Sequence, residues 1–354
     1  MKVSYGLPYK GSKRRLALKL LQHMPKAENF VDLFCGGCAV AHAALLGSRF
    51  QNVYINDLNP MCPQLFLDAL QGKYNDDRRW ISHEEFDRLK STDPYVAFVW
   101  SFGNNLRNYL YSREVEPLKR AMHYAIFFGD YRPASEFGLD LSFCSRIADE
   151  HSRYLAVKHY VQRHLDADRF FVHPDRETFS SSGRDLQLES SERMRTVKNI
   201  GGGGYFNLQS YTSRRLLHQV AISRAARRYP TPTPLRAPFA GGQIHASSVD
   251  YREFQIPPHS VVYCDIPYIG TDDYQPDGLN RFDYESFYAW CREQREPLFV
   301  SSYSLPYEEF VCVAEFPHTC SLSAKRTNRV VERLFVPLHQ RKQACTIRDL
   351  FGDL

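Results

Sequence analysis

The chain reads as an α/β protein built on a doubly wound parallel sheet, interrupted in sequence by a mostly helical insertion. Three observations carry this. Residues 30–34, the turn Cys35-Gly36-Gly37-Cys38, residues 39–46 and residues 53–55 give strand, glycine turn, helix and strand in succession, the opening of a parallel βαβ unit. From about Tyr74 to Pro238 the chain turns aromatic, basic and helical, with few convincing strands. The α/β punctuation returns after the linker-like run Pro230-Thr231-Pro232-Thr233-Pro234.

Each element follows from local pattern. Residues 16–24 have helical apolar spacing and stop before Pro25. Residues 30–34 form a short apolar strand enclosing Asp32, and 53–55 a second one that ends at Asn56-Asp57. Residues 180–183 and 201–204 are serine- and glycine-rich breaks, with an exposed helix expected over 185–197. Beyond the linker, strands are expected at 261–263, 298–301 and 333–336, and a helix over 284–292. The expected organisation is one α/β domain made of residues 1–73 and 239–354, with residues 74–238 inserted into it.

At 354 residues the chain can bury a full core. It is 43% hydrophobic and 24% charged, an ordinary balance for a soluble globular protein. A net charge of +5 permits a polyanionic partner, and 14% aromatic residues suits stacking on bases as well as a large core. Nine irregularly spaced cysteines do not form a disulfide framework, which favours a reducing cytosol. No apolar run follows Lys2, Lys13, Arg14 and Arg15, so no signal peptide is expected. No apolar stretch reaches membrane-spanning length.

The richest stretch is Tyr263-Cys264-Asp265-Ile266-Pro267-Tyr268, which follows the apolar pair Val261-Val262. A carboxylate at a strand's carboxyl end, with the Ile266 carbonyl, can accept hydrogen bonds from an exocyclic amine, and the Tyr268 ring can stack on a flat base. A turn-capping Asp265 and a core Tyr268 are the plainer alternative. The glycine turn lets backbone approach a nucleoside closely, and Asp57 stands where an acid can accept both ribose hydroxyls. The full G-x-G-x-x-G fingerprint is absent, and Cys38 stands where a later glycine is expected. Cys35 and Cys38 form a C-x-x-C, open to a redox or zinc reading. No second C-x-x-C exists, and two small apolar residues in a tight turn is the simpler account. His151, His159 and His164 lack ligand spacing and are expected to be surface or packing residues.

Residues 193–248 are the other strong signal. They contain Arg193, Arg195, Lys198, Arg214, Arg215, Arg224, Arg227, Arg228 and Arg236, and no acid. The glycine run 201–204 leads into Tyr205 and Phe206. Cations meet phosphates, and side chains on loops read bases, so contact with double-stranded DNA is expected here rather than a merely solvated helix face.

In this order the motifs resemble those of alpha-class, Dam-like DNA N6-adenine methyltransferases. Tyr9-Lys10-Gly11-Ser12-Lys13 resembles the N-terminal segment whose aromatic and lysine help bind S-adenosylmethionine (SAM). Val31-Asp32-Leu33-Phe34-Cys35-Gly36 resembles the main SAM motif, Asp57 the ribose-binding acid, and Asp250-Tyr251 the acid–aromatic pair near the SAM adenine. Asp265-Ile266-Pro267-Tyr268 resembles the catalytic Asp-Pro-Pro-Tyr, and the segments around Phe282-Asp283-Tyr284-Glu285 and Phe299-Val300-Ser301-Ser302 the downstream part of the family. Two positions depart: Ile266 replaces the first proline and Cys38 a glycine.

The resemblance implies a Rossmann-like SAM-dependent methyltransferase fold with a mostly helical inserted target-recognition region. It implies methyl transfer from SAM to adenine N6 in DNA by base flipping, without a metal, in the cytoplasm of a bacterium or from a phage, with or without a partner restriction enzyme. Adenine in RNA and glutamine in protein are alternative substrates for such motifs; a DNA-binding protein with a decayed methyltransferase domain is the non-enzymatic alternative. The tail Ile347-Arg348-Asp349-Leu350-Phe351 resembles peptides that dock on a sliding clamp; packing of Leu350 and Phe351 back onto the domain is the other reading.

Overall fold

The computed structural model describes residues 4–47, 49–165, 208–225, 243–268, 282–320 and 328–341. The chain divides into two compact units, one of Met1–Asn75 with Arg214–Leu354 and one of Asp76–Ser213. The chain leaves the first unit after Asn75 and re-enters it within a helix.

The first unit is a sheet with helices. Its elements are α1 (Ala17–Gln22), β1 (Asn29–Asp32), α2 (Ala39–Leu46), β2 (Asn52–Asn56), α3 (Met61–Leu70), β3 (Gln243–Ser247), β4 (Ser260–Asp265), β5 (Leu298–Ser302), β6 (Phe310–Cys320) and β7 (Asn328–Pro337). The helix between β4 and β5 spans Tyr284–Glu293. Strand order is β3-β2-β1-β4-β5-β7-β6. The first five strands in that order run parallel; β7 is antiparallel to β5 and to β6. This seven-stranded α/β arrangement is consistent with a Rossmann-like methyltransferase fold.

The central strands β1, β4 and β5 are almost wholly buried, as continuous apolar strands covered on both faces must be. The two strands the sequence pattern misses lie at the sheet's edges. β3 is largely exposed and carries Gln, His and Ser. β6 contains Pro317 and a register break between Cys312 and Ala314, both tolerated at an edge and both hiding the alternation that marks a strand. β1 ends at Asp32, two residues earlier than the apolar run suggests.

The second unit is helical: His83–Leu89 (α4), Pro94–Val99 (α5), Glu116–Phe128 (α6) and Glu150–His164 (α7), then the start of α8 (Gln209–Ala225). Local chemistry sets its boundaries. Ser82 and Glu85 close a reciprocal capping box on α4, and Asp93 caps α5 ahead of Pro94. Gly129, at φ 68°, ends α6 in the left-handed conformation. The unit's packing is aromatic, with Tyr154 stacked on Tyr211 at 4.2 Å. His151 bonds the Tyr211 hydroxyl at 3.1 Å and His164 packs on Tyr160, as packing residues do.

Candidate active site

The chain passes from β1 to β2 on one side of the sheet and from β4 to β5 on the other. The crevice outside the carboxyl ends of β1 and β4 is therefore the switch point where ligands enter such sheets. Asp32 ends β1 and Asp265 ends β4. Asp32 lies in register with Tyr263, so the two-residue alternation of a strand puts Asp32, Tyr263 and Asp265 on one face. Val262, Cys264 and Ile266 fall on the other, in a core with Leu33 and Phe287. Ile266 is 2% exposed. Its side chain in place of proline is thus absorbed by the core.

The glycine turn is gripped from three directions. Cys35 N–H donates to the Asn56 carbonyl at 2.8 Å, and Leu7 N–H to the Gly37 carbonyl at 2.7 Å. Gly36 N–H donates to Asp57 Oδ2 at 2.8 Å. Gly36 has φ +44°, and a Cβ there would sit 2.7 Å from the Tyr9 ring; glycine is what lets Tyr9 lie against the turn. Cys38 adopts φ 53° without being glycine, a conformation that costs about 1–2 kcal/mol. Cys35 and Cys38 are buried, and burial pushes both thiols up. Neither is a thiolate at neutral pH, so they act as small apolar residues.

Asp32 Oδ2 accepts from Ala41 N–H at 3.1 Å, while the buried Oδ1 has no hydrogen-bond partner. Burial pushes Asp32 up to about 8, with the Asp265 and Asp57 charges adding to the effect and the Ala41 N–H and Lys13 opposing it. An orphaned buried carboxylate oxygen beside a glycine turn fits the cationic amino group of SAM. Phe34, Tyr251 and Phe282 form an aromatic wall, Phe34 lying 5.5 Å from Tyr251 and 5.8 Å from Phe282; it offers a purine an apolar surface. Asp57 also accepts from Asn59 N–H at 2.9 Å, which orients the carboxylate and leaves further lone pairs for hydroxyls. Asp250 is held by Arg252 at 2.7 and 2.8 Å, a pairing that keeps its carboxyl below the usual range.

At Asp265 the structure adds what the sequence did not show. Lys13 Nζ lies 2.7 and 2.8 Å from the two Asp265 oxygens and 4.8 Å from the centre of the Tyr268 ring. Lys13, expected to help hold SAM, places its ammonium on the Asp265 carboxylate and against the Tyr268 ring. Glu332 on β7 was not anticipated. It is 2% exposed, lies 3.8 Å from Lys13 Nζ, and accepts a short hydrogen bond from the Tyr268 hydroxyl, which is also 3.2 Å from Asp265 Oδ1. Its only signal in the sequence is an acid set among the valines and leucine of Val330-Val331-Glu332-Arg333-Leu334. The Tyr284 hydroxyl donates to the Pro267 carbonyl at 3.0 Å and so fixes the turn after Asp265.

Of the basic residues expected to meet DNA, Arg214 is buried. It is 8% exposed, and its Nη2 donates to the Asn75 carbonyl at 2.9 Å; its guanidinium ties backbone inside the protein and is not offered to phosphate. Arg215, the next residue on the helix, is exposed. Arg193, Arg195, Lys198, Tyr205, Arg227 and Arg228, the Arg224 side chain, the expected helix over 185–197 and the tail at 347–351 lie outside the described residues. Among the described residues no helix is long and apolar enough to cross a membrane, and no group of three metal-ligating side chains converges.

The sequence model of the D12 class N6 adenine-specific DNA methyltransferases matches residues 9–127, a stretch that contains Tyr9, Lys13, the glycine turn and Asp57, and over that stretch the chain is similar to this family.

Proposed function

We propose that the protein methylates N6 of a target adenine flipped out of double-stranded DNA, with Asp265 as amine acceptor and Tyr268 as base platform. The observation that carries this is the Lys13 ammonium held by both Asp265 oxygens beside the Tyr268 ring. A cluster of N–H donors there presents the same hydrogen-bonding face as an exocyclic amine.

When bound, SAM supplies a methyl group on a positively charged sulfur. Asp32, the glycine turn, Asp57 and the aromatic wall of Phe34 and Tyr251 are the groups that would hold it. Asp265 would accept an N–H of the adenine amine and draw its lone pair out of conjugation. The N6 lone pair would form the new N–C bond as the S–C bond broke with its electron pair kept by sulfur, and the surplus N6 proton would pass to water. Asp265 opposes the positive charge that develops on N6, an electrostatic contribution fixed before the reaction. The Asp265-to-Tyr268 segment is positioned for this by Tyr284. Residues 74–238, with their acid-free basic segment, are proposed to supply DNA contact, as their charge pattern supports.

The test is direct. Incubation with SAM and duplex DNA, followed by nucleoside mass spectrometry, should reveal N6-methyldeoxyadenosine. Faster labelling of RNA, or methylation at a base atom other than N6, would overturn the assignment. Burial of the base is read by 2-aminopurine fluorescence once the methylated sequence has been mapped.

A further inference from the structure

The Lys13–Asp265 pair poses a problem for the reaction just proposed, on which this inference rests. Asp265 cannot accept an adenine amine while both of its oxygens hold Lys13. Lys13 is 9% exposed, so removing it from Asp265 strands an ammonium in a poorly hydrated place, at a cost of several kcal/mol unless another anion receives it. Glu332 is such an anion. It is buried, 3.8 Å from Lys13 Nζ, and comes from β7, a different strand from Asp265. In the structure its near oxygen accepts from the Tyr268 hydroxyl, so one side chain touches both the lysine and the stacking tyrosine.

We propose that Glu332 is the second seat of the Lys13 ammonium: arrival of the target amine at Asp265 moves Lys13 the short distance onto Glu332, so that the ammonium is never left without an anion. Glu332 acts through Lys13 and Tyr268, and is a positioning residue. Among the described residues, the charged and titratable groups that meet this lysine include Asp265 from β4, Asp32 from β1, Glu332 from β7 and Tyr268 from the turn after β4. With two carboxylates within reach, the Lys13 ammonium has an anion in either seat. With Glu332 neutralised it can leave Asp265 only by losing its proton or reaching water.

The experiment is steady-state methylation of plasmid DNA by the full chain carrying Glu332→Gln, across pH 7 to 9. The expected result is a fall of at least ten-fold in kcat/KM for DNA at pH 7, with KM for SAM within two-fold of wild type. The deficit should shrink as pH rises, because deprotonated Lys13 no longer blocks Asp265. In a Lys13→Met background the same Glu332→Gln change should cause a much smaller loss, the part carried by the Tyr268 hydroxyl alone. A deficit that is constant with pH, no deficit, or an undiminished loss in the Lys13→Met background would overturn the proposal. Should Glu332→Gln not fold, a wild-type complex with DNA and the SAM analogue sinefungin decides: Lys13 on Glu332 supports it, Lys13 elsewhere overturns it. A wild type that methylates no DNA would remove the proposed function itself; an active wild type with a Glu332 variant indifferent to pH would remove only this step.

Discussion

Asp32 and Asp265 end neighbouring parallel strands on one face of the sheet, with Asp265 one pleat beyond Tyr263, the residue in register with Asp32. Two carboxyls so placed cannot both be comfortable anions in a buried crevice. The cost falls on Asp32, which is fully enclosed, while Asp265 is balanced by Lys13.

The first prediction follows from Asp32. Its folded pKa, about 8, is raised above the unfolded value of 3.8. Between those values the folded state binds the extra proton, so stability is greatest at the acid side and falls as pH rises towards 8, by about 1.4 kcal/mol per unit at most. Urea unfolding of the SAM-free protein at pH 5.5, 7 and 8.5 should show that decline, and Asp32→Asn should flatten it. SAM binding near pH 7 should release a proton, seen as a buffer-dependent enthalpy in calorimetry and lost in Asp32→Asn. A buffer-independent enthalpy in the wild type would place Asp32 away from the cofactor.

Asp265→Ala should lower methyl transfer by a hundred-fold or more, the usual order for removing one preorganised group. SAM affinity should change little. Retention of near-normal turnover would refute the acceptor role.

Asp57→Ala has two expected effects. SAM affinity should weaken by about 1.5–3 kcal/mol through loss of a charged acceptor. The fold should lose a further 1 kcal/mol or so, because Gly36 and Asn59 lose the carboxylate that receives their N–H groups. A lower melting temperature with unchanged SAM affinity would make Asp57 a turn brace only.

Arg214 and Arg215 should separate cleanly. Arg215→Ala should weaken DNA binding and reduce its salt slope by about one, with little change in melting. Arg214→Ala should do the opposite, since Arg214 is buried on the Asn75 carbonyl. Matching salt slopes for wild type and Arg215→Ala would remove Arg215 from the DNA surface.

Much of the sheet's centre was legible because β1, β4 and β5 are continuous apolar runs flanked by acids and glycines, and α2 begins and ends where pattern places it. The edge strands were not, since β3 and β6 owe their place to pairing more than to burial. In the site, Asp32, the glycine turn and Asp265 announce themselves by position after strands. Lys13 is legible only as a cofactor-binding candidate, and Glu332 and its closeness to Lys13 are not, because that meaning is a distance: the two are separated by most of the chain and lie 3.8 Å apart only in the fold. Arg214 misled for the converse reason, as a charge run says nothing about which of its members faces inward.

The Arg214–Asn75 hydrogen bond joins the last residue before the second unit to the first residue after it. Gly72 and Ala221 come close just inside the same junction. The sheet's own chain is therefore nearly continuous across the point of insertion, as a rope is across a knot from which a loop hangs. Entry and exit this close mean that the loop's length and content are free to vary without re-threading the sheet. An insert exchanged for residues 76–213 would have to span only the gap that the Arg214 side chain already bridges to the Asn75 carbonyl.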